Sequence, residues 1–386
     1  MFFLCILINL YIFFLNIIYM LFKLFPIKKN QILFLSRQTN KPSIDFRMIA
    51  NELAQNYPEY KIKIITKRVE KNLKDFVSKN MFSIVFQMYY LATSKICIID
   101  GYNMSVSVLK HKKDLKIIQL WHSLGALKKF GYQVLYKKTN KMFAKAMRMH
   151  KNYDLILSSS KQTTSYFSKA FNYPQDKFLD YGLPRIDYIL NKTKINKEKI
   201  YNKYPELRNK KIILYAPTFR RSSHEYKIKS LIDSINSDEY VLIVKLHPCI
   251  NYKSSINKIY TCDEFSSLQL LSVADFVITD YSAISIEAAI LNKPIFIYAY
   301  DLDDYKNYPG LNVDLYNEFG KYVFRNAKKL FQVLSQEKYD IKIVKKYKKK
   351  YVVNVKKTCT SKIVNKIVEM SGYSVKTNES EYFKYS

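Results

Sequence analysis

Segments of strand and helix periodicity alternate along this chain in two successive series, which restricts it to parallel sheets covered by helices on both faces. In the first series, apolar runs bounded by polar turns fall at Gln31–Leu35, Lys61–Thr66, Ile96–Asp100, Lys116–Trp121 and Tyr153–Ser158. Helical spacing lies between them at Ile44–Gln55 and Met81–Thr93. The stretch KTKINKEKIYNKYPELRNK, with no core-forming run, predicts a connection at 191–209. The second series has runs at Lys211–Ala216, Tyr240–Leu246, Lys258–Cys262, Phe276–Thr279 and Pro294–Tyr300, then a basic helical stretch at Ile341–Lys357. The expectation is an α/β chain of two doubly wound domains, 30–190 and 210–370, with a polar tail at 371–386 and a cleft between the domains. In such sheets ligands bind beyond the carboxyl ends of strands. Neither G-x-G-x-x-G nor a Walker A loop is present, and with 7 glycines a glycine-cradled phosphate is hard to build.

Residues 1–24 stand apart. Met1 to Phe22 carry no charge, and Lys23, Lys28 and Lys29 follow. The length suits a helix crossing a hydrocarbon core of about 20 residues, while the dense Phe and Tyr also suit one lying in the interface. Either way a membrane anchor is expected, a spanning helix slightly ahead of an interfacial one, with the flanking lysines holding the body of the protein at the cytoplasmic face of the cell membrane.

The 64 Lys and Arg against 32 Asp and Glu leave a formal charge of +32, which attracts polyanions: nucleic acid, anionic lipid or phosphate-bearing substrates. Behind an anchor, the basic run IKIVKKYKKKYVVNVKK reads better as facing an anionic membrane surface than nucleic acid, for which interleaved tyrosines would provide stacking. The 5 cysteines are widely spaced with no CxxC, so neither a disulfide framework nor a zinc site is suggested.

Five polar motifs follow apolar runs. In WHSLGALKKFG, the histidine His122 sits at a strand end, where a neutral imidazole can take a proton from a hydroxyl; a backbone-bonded structural histidine is the alternative. In YGLPRIDYI, Arg185 can fork onto phosphate or carboxylate, or pair with Asp187 to hold a loop. YAPTFRR supplies the Thr218 hydroxyl, and VKLHP supplies Lys245 and His247, donors suited to a pyrophosphate. In VITDYSAISIEAAILNKPIFIYAYDLDDY, Asp280-Tyr281-Ser282 turn into a helix whose N-terminal N–H groups suit phosphate oxygens, with Glu287 a turn further on. Ser282 as a plain N-cap is the structural alternative. That alternative leaves the acidic run Asp301, Asp303 and Asp304 without a role.

Taken in order, LWHSLGALKKFGY, GLPRID, YAPTFR, VKLHP and ITDYSAISIEAAILNKPIFIYAYDLDDY resemble the CDP-glycerol glycerophosphotransferase family of teichoic-acid and capsule assembly, from about Phe25 to Tyr316. The resemblance implies a GT-B-like fold and attack by an acceptor hydroxyl on the β-phosphate of CDP-glycerol, releasing CMP. It implies His122 as general base, and Arg185, Pro217, Thr218, Lys245, Leu246, His247, Ser282 and Ala283 as lining the CDP-glycerol site. To these the reading of the motifs adds His247 as a second catalytic residue and Trp121, Ser123, Gly125, Asp280 and Glu287 as substrate contacts. No cofactor or metal is implied, since basic side chains and a helix N-terminus can neutralise departing CMP. The implied partners are a CDP-polyol donor and a lipid-linked glycan or polyol-phosphate acceptor. Ala283, Glu287 and Ser123-Leu124 depart from the residues common in the family, and CDP-ribitol suits the site as well as CDP-glycerol. Two rivals remain: a GT-B glycosyltransferase using a nucleotide sugar, and a non-catalytic basic protein binding nucleic acid or anionic membrane.

Overall fold

The computed structural model describes residues 2–68, 73–218, 220, 224–246, 259–353 and 358–373. Twelve strands form two six-stranded sheets. The first contains β1 (Lys28–Ser36), β2 (Lys61–Thr66), β3 (Ser94–Ile99), β4 (Lys116–Gln119), β5 (Leu155–Leu157) and β6 (Phe178–Leu179) in the order β2-β1-β3-β4-β5-β6. The second contains β7 (Lys211–Tyr215), β8 (Tyr240–Val244), β9 (Ile259–Tyr260), β10 (Phe276–Thr279), β11 (Ile295–Tyr298) and β12 (Val323–Phe324) in the order β12-β11-β10-β7-β8-β9. The described pairings are parallel, so connections need helices, as the alternating periodicity predicts.

The buried parts of the strands are runs of apolar residues because both faces are covered there. In β1, Ile32 to Leu35 are all buried. In the second sheet, Tyr215, Leu242, Phe276, Ile278, Phe296 and Tyr298 share a core with Leu330, Phe331 and Leu334 of the helix Ala327–Leu334. Each fully buried side chain of this size contributes about 1.5–3 kcal/mol. Short polar side chains start the helices: Ser43 accepts from Phe46 N, and Ser160 from Thr163 N.

By their contacts, residues Met1–Trp121, Met142–Leu155 and Thr360–Ser386 form one unit, and His122–Lys141 with Ile156–Cys359 the other. These units depart from the boundaries 30–190 and 210–370. The stretch 191–209 is the second half of the helix Pro184–Lys203 plus a short 3-10 turn at Pro205–Asn209. Its Asn196, Ile200 and Leu207 are buried, a sparse pattern easily missed among lysines. The helix Cys359–Ser371 belongs in its greater part to the first unit, where Tyr57 Oη donates to Asn365 Oδ1 (3.3 Å) and Tyr60 Oη meets Ser371 Oγ (2.6 Å).

The N-terminal helix Phe2–Phe22 has two unlike faces. Ile12, Leu15 and Tyr19 are buried against the first unit. Between them, Asn16 Nδ2 donates to Val108 O (3.2 Å) and Asn16 Oδ1 accepts from Lys110 N (2.8 Å). Tyr19 Oη lies 3.0 Å from His111 Nδ1, and His111 Nε2 lies 2.7 Å from Val106 O. A carbonyl only accepts, so Nε2 carries the proton and Nδ1 accepts from the tyrosine. The opposite face leaves Phe2, Phe3, Phe13, Phe14, Met20 and Leu21 exposed.

Candidate active site

Read from β7, the second sheet runs third-second-first-fourth-fifth-sixth, so the chain leaves β7 and β10 in opposite directions and opens a crevice beyond their carboxyl ends. Both strands end in the motifs singled out above. Ala216 N donates to Ile278 O (3.0 Å) and Thr279 Oγ1 to Ala216 O (2.8 Å), which fastens one strand end to the other. Thr218 N donates to both oxygens of Asp280 (2.9 and 3.1 Å). Asp280 also accepts from Tyr281 N (2.6 Å) and from Arg220 Nη1 (2.6 Å). This carboxylate, expected at the substrate, ties the two loops together. Pro217 is buried beside it. Thr218 is 5% exposed, and its Oγ1 has no hydrogen-bond partner among the described residues. A buried hydroxyl left without a partner is costly.

Arg220 is the residue that sequence reasoning passed over. Its Nε and Nη2 fork onto Asp301 (2.6 and 3.0 Å), while Nη1 reaches Asp280 and Thr218 O (3.0 Å). The rings of Tyr300, Tyr305 and Tyr281 surround the guanidinium, with centroids 4.8, 5.4 and 5.6 Å away. Tyr281 stacks on Tyr305 at 3.9 Å and donates to Asp301 (3.0 Å). Burial alone would depress the Arg220 pKa, but the bonds to Asp301 and the charge of Asp280 outweigh it and raise the value. The acidic run therefore has a role: Asp301 clamps Arg220, and Asp303 pairs with Arg325 at the surface (2.6 Å). The signal in sequence was the second half of YAPTFR together with YAYD, aromatic residues flanking opposite charges.

Arg185 and Glu287, both expected at the substrate, are brought together: Nη1 to Oε1 is 3.0 Å, with side chains 12% and 8% exposed. Asp187, the neighbour weighed as a partner for Arg185, accepts from Cys359 N (3.2 Å). Gly182, ahead of Arg185, has φ +79°, and a Cβ there would fall 2.8 Å from Cys359 Sγ, so the turn requires glycine. The helix after Asp280 spans Ile284–Ile290, and its cap is Ala283, which gives no side-chain bond. Ser282, weighed as a plain N-cap, is not the cap: it precedes Ala283, and its Oγ lies 3.4 Å from Ile284 N.

After β4, buried Gln119 donates to Gly101 O (3.2 Å) and accepts from Trp121 N (2.8 Å), holding Trp121 at φ +61°. The indole lies edge-on to His150 at 6.0 Å. His122 then faces solvent. Ser123 Oγ donates to Gly125 O (2.8 Å), and a Cβ on Gly125 would come within 2.5 Å of Ile286 Cδ1. Lys245 Nζ donates to Cys262 O (3.2 Å) and Asp263 O (3.3 Å), and Leu246 packs on the core of the second sheet. His247, the second expected catalytic residue, lies outside the described residues.

Comparison with known proteins places this geometry. The family model described as CDP-glycerol:poly(glycerophosphate) glycerophosphotransferase matches residues 17–369. A teichoic acid poly(ribitol-phosphate) polymerase of Bacillus spizizenii is 29% identical over 365 residues, 91% of this chain; the chain spans 58% of that protein's length. A teichoic acid glycerol-phosphate primase of Bacillus subtilis is 34% identical over 290 residues, 70% of this chain and 74% of the primase. The solved structure of the wall teichoic acid polymerase TagF superposes with a TM-score of 0.70 at 20% identity, covering 94% of this chain and 95% of that one.

Proposed function

Because the chain belongs to the CDP-glycerol:poly(glycerophosphate) glycerophosphotransferase family, we propose that it transfers a polyol phosphate from a CDP-linked donor to a hydroxyl of a lipid-linked glycan or polyol-phosphate acceptor, releasing CMP, in teichoic-acid-like or capsular polymer synthesis. The observation that carries this reading is the buried Thr218 hydroxyl, unpartnered among the described residues and seated at the crevice between β7 and β10. The phosphates of a cytidine diphosphate bring the acceptor oxygens that such a hydroxyl lacks. His122, exposed after β4, takes the proton from the acceptor hydroxyl. That oxygen bonds to the β-phosphorus, the bridging P–O bond breaks, and CMP leaves with the bridging oxygen. Arg185, held in place by Glu287, sets a rigid fork of N–H donors toward the charge that develops. Lys245 adds a second cation once released from the Cys262 and Asp263 carbonyls.

The N-terminal helix supports membrane association. One face is bonded to the protein through Asn16 and Tyr19, so lipid reaches only the other, the arrangement of a helix lying in the interface rather than crossing it. The basic helix Ile341–Tyr351 exposes Lys342, Lys345, Lys346, Lys349 and Lys350 and buries Tyr347 and Tyr351. That burial removes both tyrosines as stacking platforms for nucleic acid and leaves the lysines for anionic headgroups.

The test is nucleotide release by the purified protein offered CDP-glycerol, CDP-ribitol and UDP-sugars with membrane extract as acceptor. CMP from one CDP-polyol is expected, and His122→Ala should lower its rate by at least about two orders of magnitude without unfolding the protein. UDP in place of CMP would make the protein a glycosyltransferase.

A further inference from the structure

The segment that carries His122 goes on to Lys128, a residue with no role so far. Its backbone is held firmly. Asn312 Nδ2 donates to Ala126 O (3.0 Å) and Lys128 O (3.1 Å), and Asn312 N donates to Leu127 O (2.7 Å). Asn312 is oriented in turn by Gln133 Nε2, which donates to its Oδ1 (2.7 Å). Lys128 also bridges Leu311 in antiparallel fashion. The contact of Gly125 with Ile286 seats the same segment against the helix that follows Asp280.

The side chain of Lys128 is half-buried, close enough to Asp280 and Arg220 for both charges to act on it. Among the described residues its ammonium makes no hydrogen bond or ion pair. Asp280 cannot take it on, since its two oxygens already receive Thr218 N, Tyr281 N and Arg220 Nη1. Burial lowers the Lys128 pKa, Asp280 offsets part of this, and Arg220 adds to the lowering. Three N–H donors on a half-buried side chain thus find no acceptor among the described residues. Thr218 Oγ1, in the residue whose backbone N–H donates to that carboxylate, also has no hydrogen-bond partner among the described residues. A cation and a hydroxyl, both short of acceptors at the carboxyl ends of β7 and β10, call for an oxyanion with several oxygens.

We propose that Lys128 is a phosphate-binding residue of this site, its ammonium and the Thr218 hydroxyl together receiving oxygens of the donor's diphosphate. The assignment rests on the transferase reading above and adds to it a contact from the loop that carries the proposed base. Donor binding and placement of His122 then share one short, fixed segment.

The experiment compares the full-length wild type with Lys128→Met, Lys128→Arg, Thr218→Val and Lys129→Met, measuring CDP affinity by calorimetry and CMP release as donor and acceptor are varied. Loss of one charge-assisted contact should weaken CDP binding and raise the donor KM by about 10- to 100-fold in Lys128→Met. Lys128→Arg should recover most of the loss, Thr218→Val should reproduce part of it, and Lys129→Met should stay within about twofold of wild type, having lost the same formal charge from the protein's general field. If Lys128→Met does not fold, Lys128→Gln serves in its place. Unchanged CDP affinity overturns the proposal, as does an equal loss in the Lys129 variant. A raised KM for the acceptor alone overturns the donor assignment. CDP binding that depends on Lys128 in a protein releasing no CMP from any CDP-polyol would sink the transferase reading and leave the phosphate site standing.

Discussion

At the residue scale, one arginine organises what two loops do. Arg220 reaches Asp280 and Asp301, and Asp280 in turn seats Thr218 through its backbone N–H. Such a pair is hard to remove in part, because a buried charge stripped of its partner cannot return to water. Replacing Arg220 with Ala leaves Asp280, 1% exposed, facing Lys128 alone, and the expected cost is about 3–5 kcal/mol in urea unfolding. Arg220→Lys should lose a large part of this too, since an ammonium cannot fork onto two carboxylates in different directions. A loss below about 1 kcal/mol in the alanine variant, the worth of an exposed pair, would refute the role assigned to it. None of this was legible from the motif alone. YAPTFR announces a strand end and a basic residue, but the carboxylates that fill its donors lie 60 and 81 positions further along the chain.

Secondary elements were more legible than their ends. The expected Lys61–Thr66 and Phe276–Thr279 are the observed β2 and β10, and the other expected runs agree to within a few residues, while the two-residue β6 and β12 match no run of the two series. Boundaries slipped where tertiary hydrogen bonds decide: β4 stops at Gln119 because its side chain turns back to hold Trp121 N. The N-terminal helix shows the limit of composition. Its uncharged sequence is the same on every side, yet Asn16 and Tyr19 commit one face to protein. The exposed phenylalanines should then be the membrane contact. Changing Phe13 and Phe14 to Ser is expected to reduce co-sedimentation with anionic vesicles by more than about tenfold, each ring contributing up to about 1.5–3 kcal/mol of burial. CMP release in detergent should be retained, because neither ring is buried in the protein. Vesicle binding that survives the double change while a charge-reduced Ile341–Tyr351 helix abolishes it would assign the membrane contact to the lysines instead.

For the whole molecule, two histidines, His150 buried and His111 half-buried, give stability a predictable pH dependence. Burial pushes both His111 and His150 down to about 4, from an ordinary value of 6.5. A lowered native pKa means that the unfolded chain takes up protons first as the pH falls. Stability should therefore be unaffected by these groups above pH 6.5 and decline from there toward pH 4, by about 1.4 kcal/mol per pH unit for each histidine. Urea unfolding of the wild type and of His150→Phe across that window should show a shallower slope in the variant; parallel slopes would mean that His150 is protonated in the native state. His150 was invisible as a motif, standing in MHKNYD with no partner in view, and it becomes buried only when Tyr102, Trp121 and Tyr153 gather around it. By itself the sequence determined the α/β class, the two parallel sheets and the family, because periodicity is local and the five motifs keep a set order along the chain. Only the tertiary structure decided which cation pairs with which carboxylate, that Asp280 ties the loops together, and that Lys128 and Thr218 lack acceptors among the described residues. Hydrogen-bond satisfaction belongs to positions in space, and residues far apart in the chain must be folded together before any donor is found to be missing its acceptor.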